Sequence, residues 1–206
     1  MKKVLLSVFV IVCGWQALSF AEPAEAPQQA VESFLGAIRS MNFPIKDEAQ
    51  HKDLVQKADA YLDLEALGKK SLGNHWTEAN PQEQKSFIDL LWKLIESMAY
   101  SRSHSFMGDF KITYPEVKQV ADGFEVKSLI KQEEDSLDVH VNYHMYSKDD
   151  HWKVDDIVLD DVSISEDLKG QFDKIIQQSQ FAGLLAKMQE KLTASEKANR
   201  EPAPTV

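Results

Sequence analysis

Residues 139–163 contain three histidines and six aspartates, the side chains used in metal sites and in general acid–base catalysis. Apolar and polar residues alternate at the start of this run, which predicts a β-strand with two different faces. The apolar face carries Val139, Val141, Tyr143 and Met145. His140 and His144 then lie on the other face, about 13 Å apart at ~3.3 Å per residue. One metal ion cannot bridge them when each Zn–N bond is ~2 Å, so we assign no metal ligands.

The aspartates of this run occur in adjacent pairs. Asp149-Asp150 is typical of a turn, and an adjacent pair within a strand sends its two side chains to opposite faces. The alternation changes phase between Val154 and Ile157, which indicates a β-bulge that would turn one acid inward. An inward acid in an apolar cavity is a candidate general base. A solvated outer face is the favoured interpretation, because unpaired charges are rarely buried.

No catalytic motif accompanies these polar side chains. The chain has no G-x-S-x-G sequence, no glycine-rich phosphate-binding loop and no cysteine after residue 21. We therefore predict that the protein is not an enzyme, that it needs no cofactor and that it has no catalytic residues. The polar run is predicted to be the exterior of a sheet.

The first 21 residues resemble a secretory signal peptide. Lys2 and Lys3 precede an apolar stretch, and Ser19 and Ala21 are small residues at the positions that a signal peptidase recognises. Cys13, the single cysteine, lies inside this segment, so the exported chain would have no disulfide. We predict a signal peptide over residues 1–21, a single domain over residues 22–192 and a disordered polar tail over residues 193–206.

The acidic balance of the chain limits its partners. The formal charge is −10, and removal of Lys2 and Lys3 makes the exported chain more negative. Such a protein has no electrostatic reason to bind nucleic acid or an anionic bilayer. We therefore expect contacts with membranes to be brief or to be made through partner proteins.

Hydrophobic periodicity predicts helices, then strands, then helices, which is an α+β arrangement. Helical spacing covers residues 31–41, 46–60 and 64–71, and Asn80, Pro81 and Glu83 offer a capping box for a longer helix. After Gly108 the period becomes two, and short polar turns separate about four antiparallel strands. Two further helices follow, of which the first begins at Ser165 and the second carries Phe181, Leu184, Leu185, Met188 and Leu192.

Two stretches carry a family resemblance, one in residues 61–100 and one in residues 151–192. The matching positions in the first are Asp63, Leu72, Gly73, Trp76, Pro81, Gln84 and Phe87. Those in the second are Trp152, Val162, Ser163, Gln171, Phe172, Gly183 and Leu184. This pattern resembles the MlaC family of periplasmic phospholipid-binding proteins, also called toluene-tolerance proteins. Gln180 departs from it, because family members usually have a glycine there that separates the last two helices.

The resemblance implies an NTF2-like curved sheet that encloses acyl chains, in the periplasm of a Gram-negative bacterium. It also implies a monomeric carrier in a retrograde lipid ABC transport system. The implied partners are a phospholipid, an outer-membrane lipoprotein–porin complex and an inner-membrane ABC transporter with its lipid-binding substrate-entry subunit. Three alternatives stay open: a hopanoid-related carrier, an exported NTF2-like enzyme with an inward Asp or His, and an adaptor without a pocket.

A carrier of this kind needs an apolar pocket that matches its lipid. Methionine suits a variable acyl chain because it repacks at little cost. The residues predicted to line the pocket are Leu90, Leu94 and Met98 on the long helix, with Val126, Val139, Val141, Tyr143 and Met145 on the sheet.

Overall fold

The computed structural model describes residues 25–102, 110–131 and 138–200. The predicted signal peptide lies outside these residues. Within the described ranges, no helix combines the length and the apolar character that a membrane span requires.

The helices before the sheet mostly begin where the sequence supplies a cap. They are α1 (Pro27–Arg39), α2 (Glu48–Asp59), α3 (Leu64–Leu72), α4 (Asn74–Glu78) and α5 (Pro81–Leu94). The carboxylates of Asp47 and Asp63 accept backbone N–H groups at the starts of α2 and α3. Asn80 and Glu83 form the capping box predicted for α5. The five residues of α4 were not predicted.

The described strands form one antiparallel sheet in chain order. They are β1 (Lys111–Val120), β2 (Gly123–Lys131), β3 (Asp138–Lys148), β4 (His151–Leu159) and β5 (Val162–Ser163). The α+β class is confirmed, and the sheet has one short strand beyond the four expected. The register of β3 on β4 shifts between His144 and Met145, so Asp155 is an extra residue on β4. This confirms the bulge predicted between Val154 and Ile157.

The chain ends in a long helix, α6 (Ile164–Arg200), which is broken at one residue. At Gln180 φ is 63° and ψ is 177°, so the two halves of α6 are separate helices. The hinge that family members usually form with a glycine is therefore present here although glutamine takes its place. Non-glycine residues in this backbone region cost on the order of 1–3 kcal/mol, so packing on both sides must hold Gln180 there.

The prediction of a disordered tail from residue 193 is wrong for residues 193–200, which continue α6. Composition alone suggested disorder, but tertiary contacts order this segment. Ser195 Oγ and Asn199 Nδ2 both donate hydrogen bonds to the carbonyl oxygen of Ser97, at 2.9 Å and 2.6 Å. These bonds hold the end of α6 against the helical segment Ile95–Tyr100, which follows α5.

Two apolar clusters make up the interior. The sheet cluster lies between α1, α2 and the inner face of the sheet, and its buried members are Ala30, Val31, Phe34, Leu35, Ala37, Ile38, Met41, Val55, Ala58, Tyr100, Val126, Ile130, Val139, Val141, Tyr143, Met145, Trp152 and Val154. The helix cluster joins α3, α5 and α6, and its buried members are Leu72, Phe87, Leu91, Phe172, Leu184 and Met188.

Candidate functional site

The sheet cluster contains a cavity of about 460 Å³. Ligand pockets in proteins usually measure ~300–1,000 Å³ and are lined mainly by apolar side chains. The apolar lining residues come from α1 (Phe34, Leu35, Ile38), the α2–α3 region (Leu62, Leu67), the helix after α5 (Ile95, Ala99, Tyr100), the sheet (Ile130, Val139, Val141, Tyr143, Ile157, Leu159) and the start of α6 (Ile164). The site can therefore hold an apolar ligand of substantial size.

A π-helical turn, Ile95–Tyr100, continues α5 and forms one wall of this cavity. Each π-turn contains more residues than an α-turn, so the face that points inward changes where α5 enters it. Upstream of the turn, Leu91 packs in the helix cluster, whereas Ala99 and Tyr100 face the cavity. π-helical turns occur frequently at functional sites.

Asp59, at the end of α2, holds the π-helical turn in place. Its two carboxylate oxygens accept the Tyr100 hydroxyl and the Trp92 indole N–H, both at 2.6 Å. Burial raises the pKa of the Tyr100 hydroxyl, and the Asp59 carboxylate raises it further, so this group stays a neutral donor. The Tyr100 ring also meets the Phe34 ring edge-on, at 6.4 Å between centroids. The wall of the cavity is thus fixed from two sides.

The structure brings three of the predicted pocket residues together at the cavity. Val139, Val141 and Tyr143 line it from β3. Val126 and Met145 are fully buried in the sheet cluster, but they pack against neighbours and do not line the cavity. The part of these residues in ligand binding stays a prediction.

The three residues predicted on the long helix lie elsewhere. Leu90 and Leu94 pack against the helix cluster, because α6 covers that face of α5. Met98 is half-buried and does not line the cavity, because the π-helical turn redirects the stripe that a regular α-helix would continue. These three residues therefore do not line the cavity, and their part in lipid binding stays a prediction. Sequence periodicity cannot reveal a π-turn that depends on tertiary packing.

Other lining residues were not predicted. Phe34, Leu35 and Ile38 belong to the apolar stripe of α1. The stripe can be recognised in the sequence, but its periodicity does not show which element it faces. Nothing in the sequence indicated the residues at the opening of the cavity, its rim, because they come from distant parts of the chain. Leu159 and Ile164 are 43% and 37% exposed there, so the cavity opens to solvent past apolar side chains.

His144 and Asp155 of the opening run lie on the outer face of the sheet, whereas Asp160 lies in the turn after β4 at the cavity. His144 Nδ1 lies 2.5 Å from Asp155 Oδ1, and its Nε2 lies 3.1 Å from Asp122 Oδ1. Lys70 Nζ on α3 lies 2.7 Å from Asp155 Oδ2. Burial lowers the pKa of His144, but the hydrogen bonds to Asp155 and Asp122 outweigh it and raise the pKa. Asp155 is the buried acid of the bulge, yet it binds α3 to the sheet and does not face the cavity.

Asp63 completes this outer network at the start of α3. Its carboxylate accepts hydrogen bonds from the Tyr146 hydroxyl, from Lys148 Nζ at 2.6 Å and from the Ala66 N–H at 2.9 Å. Burial would raise the pKa of Asp63, but these hydrogen bonds lower it to about 2. Within the described ranges, no group of three or more His, Cys, Asp or Glu side chains is arranged to hold a metal ion. The polar residues therefore act as a structural junction between α3 and the sheet.

A smaller polar cavity of about 130 Å³ lies on the other side of the π-helical turn. His51, Glu96 and Ser97 are among its lining residues. Burial lowers the pKa of His51, whose Nδ1 has no hydrogen-bond partner in the described part of the chain. This cavity is too small and too polar for an apolar ligand.

Comparison with known proteins adds a family and a fold. A family model described as MlaC protein matches residues 28–190. The intermembrane phospholipid transport system binding protein MlaC of Haemophilus influenzae is 23% identical over 180 residues, which is 84% of each chain. The structure of a phospholipid-binding protein from Ralstonia solanacearum in complex with a phospholipid superposes with a TM-score of 0.66 at 22% identity. That match covers 82% of this chain and 95% of the other.

Proposed function

The chain belongs to the MlaC family, and on that premise we propose that it is a periplasmic carrier of phospholipid. The observation that supports this most strongly is the open apolar cavity of about 460 Å³ in the sheet cluster. A monomer of one lipid-binding domain, residues 22–192, would act after removal of residues 1–21. Val139, Val141 and Tyr143 would contact the acyl chains directly, while Val126 and Met145 would support the wall behind them.

The need for such a carrier follows from the cost of hydrating acyl chains. A phospholipid with two chains has about 30 methylenes, and each costs ~0.8 kcal/mol in water, on the order of 24 kcal/mol in total. A free lipid therefore does not cross an aqueous compartment at a useful rate. The cavity would replace this water with apolar side chains, and the open rim would leave the headgroup in solvent.

The transport system is a finer part of the proposal. We place the carrier between an outer-membrane lipoprotein–porin complex, which would supply lipid, and an inner-membrane ABC transporter with a lipid-binding substrate-entry subunit. Transport in this retrograde direction would maintain the lipid asymmetry of the outer membrane. The formal charge of −10 supports transfer through partner proteins, because an acidic chain has no electrostatic attraction to anionic lipid.

The test is mass spectrometry of the mature protein purified from cells without detergent, first in native form and then after organic extraction. We expect close to one lipid-bound species per chain and a glycerophospholipid in the extract. A hopanoid in the extract would assign the carrier to the alternative cargo. A chain at its lipid-free mass would overturn the proposal. It would also favour the alternative of an adaptor without a pocket.

A further inference from the structure

The lining of the large cavity is apolar except for two charged residues, Arg102 and Asp160, as far as the described residues show. Arg102 follows the π-helical turn, and Asp160 lies in the turn between β4 and β5. Both are exposed, so they belong to the open rim and not to the closed end of the cavity. A cation and an anion therefore stand where the cavity meets solvent.

The Asp160 carboxylate is held in a fixed position. Its Oδ1 accepts the His140 N–H at 3.0 Å, and the Asp160 N–H donates to the His140 carbonyl oxygen at 2.9 Å. At Asp160 and Asp161 φ is 45° and 67°, the left-handed conformation that Asp and Asn tolerate better than most residues. An acceptor that is already immobilised loses little entropy when it binds a donor.

Arg102 has no such partner among the described residues. Within the part of the chain that the structure describes, its guanidinium makes no hydrogen bond or ion pair, and it does not pair with Asp160. A guanidinium presents several N–H donors in a planar fork that matches the oxygens of a phosphate. Among the described residues, the rim thus offers a guanidinium without a partner and a separate carboxylate.

Resting on the proposed carrier function, we infer that Arg102 and Asp160 select phospholipids whose headgroup carries both a phosphate and a primary ammonium. Arg102 binds the phosphate, and Asp160 accepts hydrogen bonds from the ammonium. A glycerol headgroup leaves Asp160 without a cation. A trimethylated ammonium brings the charge but no N–H donor, so it satisfies Asp160 less well. The acyl chains occupy the cavity in all three cases.

The experiment loads lipid-free mature protein from vesicles that contain equal amounts of phosphatidylethanolamine, phosphatidylglycerol and phosphatidylcholine with identical acyl chains. Bound lipid is extracted and quantified by mass spectrometry. We expect the wild-type protein to take up phosphatidylethanolamine about two- to fivefold over the other two, the ratio that one exposed charge pair supports. Asp160→Asn should bring this ratio close to one, because the amide keeps the bond to His140 but removes the charge.

Asp161→Asn is the matched control, because it changes the neighbouring residue of the same turn, which does not line the cavity. It should leave the headgroup ratio at the wild-type value. Arg102→Gln should lower phospholipid uptake relative to diacylglycerol with the same chains by about two- to fivefold. Lys118→Gln, which removes an exposed charge on β1, should leave the uptake of phospholipid relative to diacylglycerol unchanged.

The outcomes separate this inference from the proposed function. Lipid uptake with an unchanged headgroup ratio in Asp160→Asn, or with no headgroup preference in the wild-type protein, overturns the headgroup inference alone. Binding of free phosphoethanolamine as tight as that of phosphatidylethanolamine also overturns it, because the two charges would then serve a soluble ligand. No uptake of any lipid overturns the carrier function, and the headgroup inference with it.

Discussion

The sheet cluster and the helix cluster are both apolar, but the first encloses a cavity of about 460 Å³ and the second is filled. In the helix cluster, the Phe87 ring meets the Phe172 ring edge-on at 5.5 Å and also contacts Phe181. In the sheet cluster, α1 and the π-helical turn stand away from the inner face of β3. The same kinds of side chain therefore stabilise one region by contact and leave space in the other.

The two clusters therefore contribute differently to stability and to ligand binding. Dispersion contacts in a filled core stabilise the fold, whereas the lining of a void lacks partner atoms on one side. Several residues that carry the family resemblance, including Leu72, Phe87 and Phe172, lie in the helix cluster. The family pattern thus includes residues of the filled region that supports the cavity.

The largest expected effect comes from truncation in the helix cluster. Phe87→Ala should lower the free energy of unfolding by about 3–5 kcal/mol, because Phe87 is fully buried and well packed. Phe34→Ala is the matched change in the sheet cluster. It should cost less, on the order of 2 kcal/mol, because the Phe34 ring already borders the cavity. Urea unfolding of the lipid-free proteins measures both, and equal losses would contradict the division between filled and hollow regions.

The polar junction between α3 and the sheet should lose stability at low pH. The folded-state pKa of Asp63, about 2, lies below its ordinary value of 3.8, so its stabilisation is complete above that value. It is lost as the pH falls from about 4 to 2, by an amount on the order of 1–2 kcal/mol. Asp63→Asn keeps an acceptor for the N-cap of α3 but should lack this acid-dependent step. Unfolding measured from pH 6 to pH 2 would reject the argument if both proteins lost stability in parallel.

Replacing each of two helical glycines by alanine should have opposite effects on the free energy of unfolding. A Cβ on Gly68 would lie 2.5 Å from Ile88 Cδ1 and 3.2 Å from the Phe87 ring, whereas a Cβ on Gly36 of α1 meets nothing within 4 Å. Gly68→Ala should lower the unfolding free energy by about 1 kcal/mol, because overpacking outweighs the gain in helix propensity. Gly36→Ala should raise it by about 0.5–1 kcal/mol. Stabilisation by both changes would show that the helix cluster has unfilled space.

The smallest effect on stability should come from filling the cavity. Val141→Phe should change the unfolding free energy of the lipid-free protein by less than about 1 kcal/mol, because the ring enters empty space. It should nevertheless reduce the amount of lipid that copurifies. Val126→Phe, at a packed site on the adjacent strand, should cost about 1–3 kcal/mol. Unchanged lipid content in Val141→Phe would place the bound lipid outside this cavity.

Much of the fold was predictable because its signals are local. The capping box at Asn80, the alternation in β3 and the phase change before Ile157 each depend on residues that are close in sequence. The break at Gln180 was predictable only through the family pattern, since glutamine by itself gives no sign of a positive φ. The order of residues 193–200 was not predictable, because it depends on hydrogen bonds to Ser97, about 100 residues earlier.

The candidate site was predicted only in part for the same reason. The alternation of β3 places Val139, Val141 and Tyr143 correctly on the inner face. The rim brings Arg102, Asp160 and Ile164 together from separate elements, and no spacing along the chain indicates that they meet. Leu90 and Leu94 follow the expected helical stripe, but α6 and not the sheet covers it.

The sequence by itself determined the acidic charge, the order of helices and strands, and which side chains point inward. Only the tertiary structure decided which inward side chains border empty space. Val126 and Val141 are both buried valines on adjacent strands, yet only Val141 lines the cavity. Periodicity reports the face on which a side chain lies, whereas a void depends on how far α1 and the π-helical turn stand from the sheet.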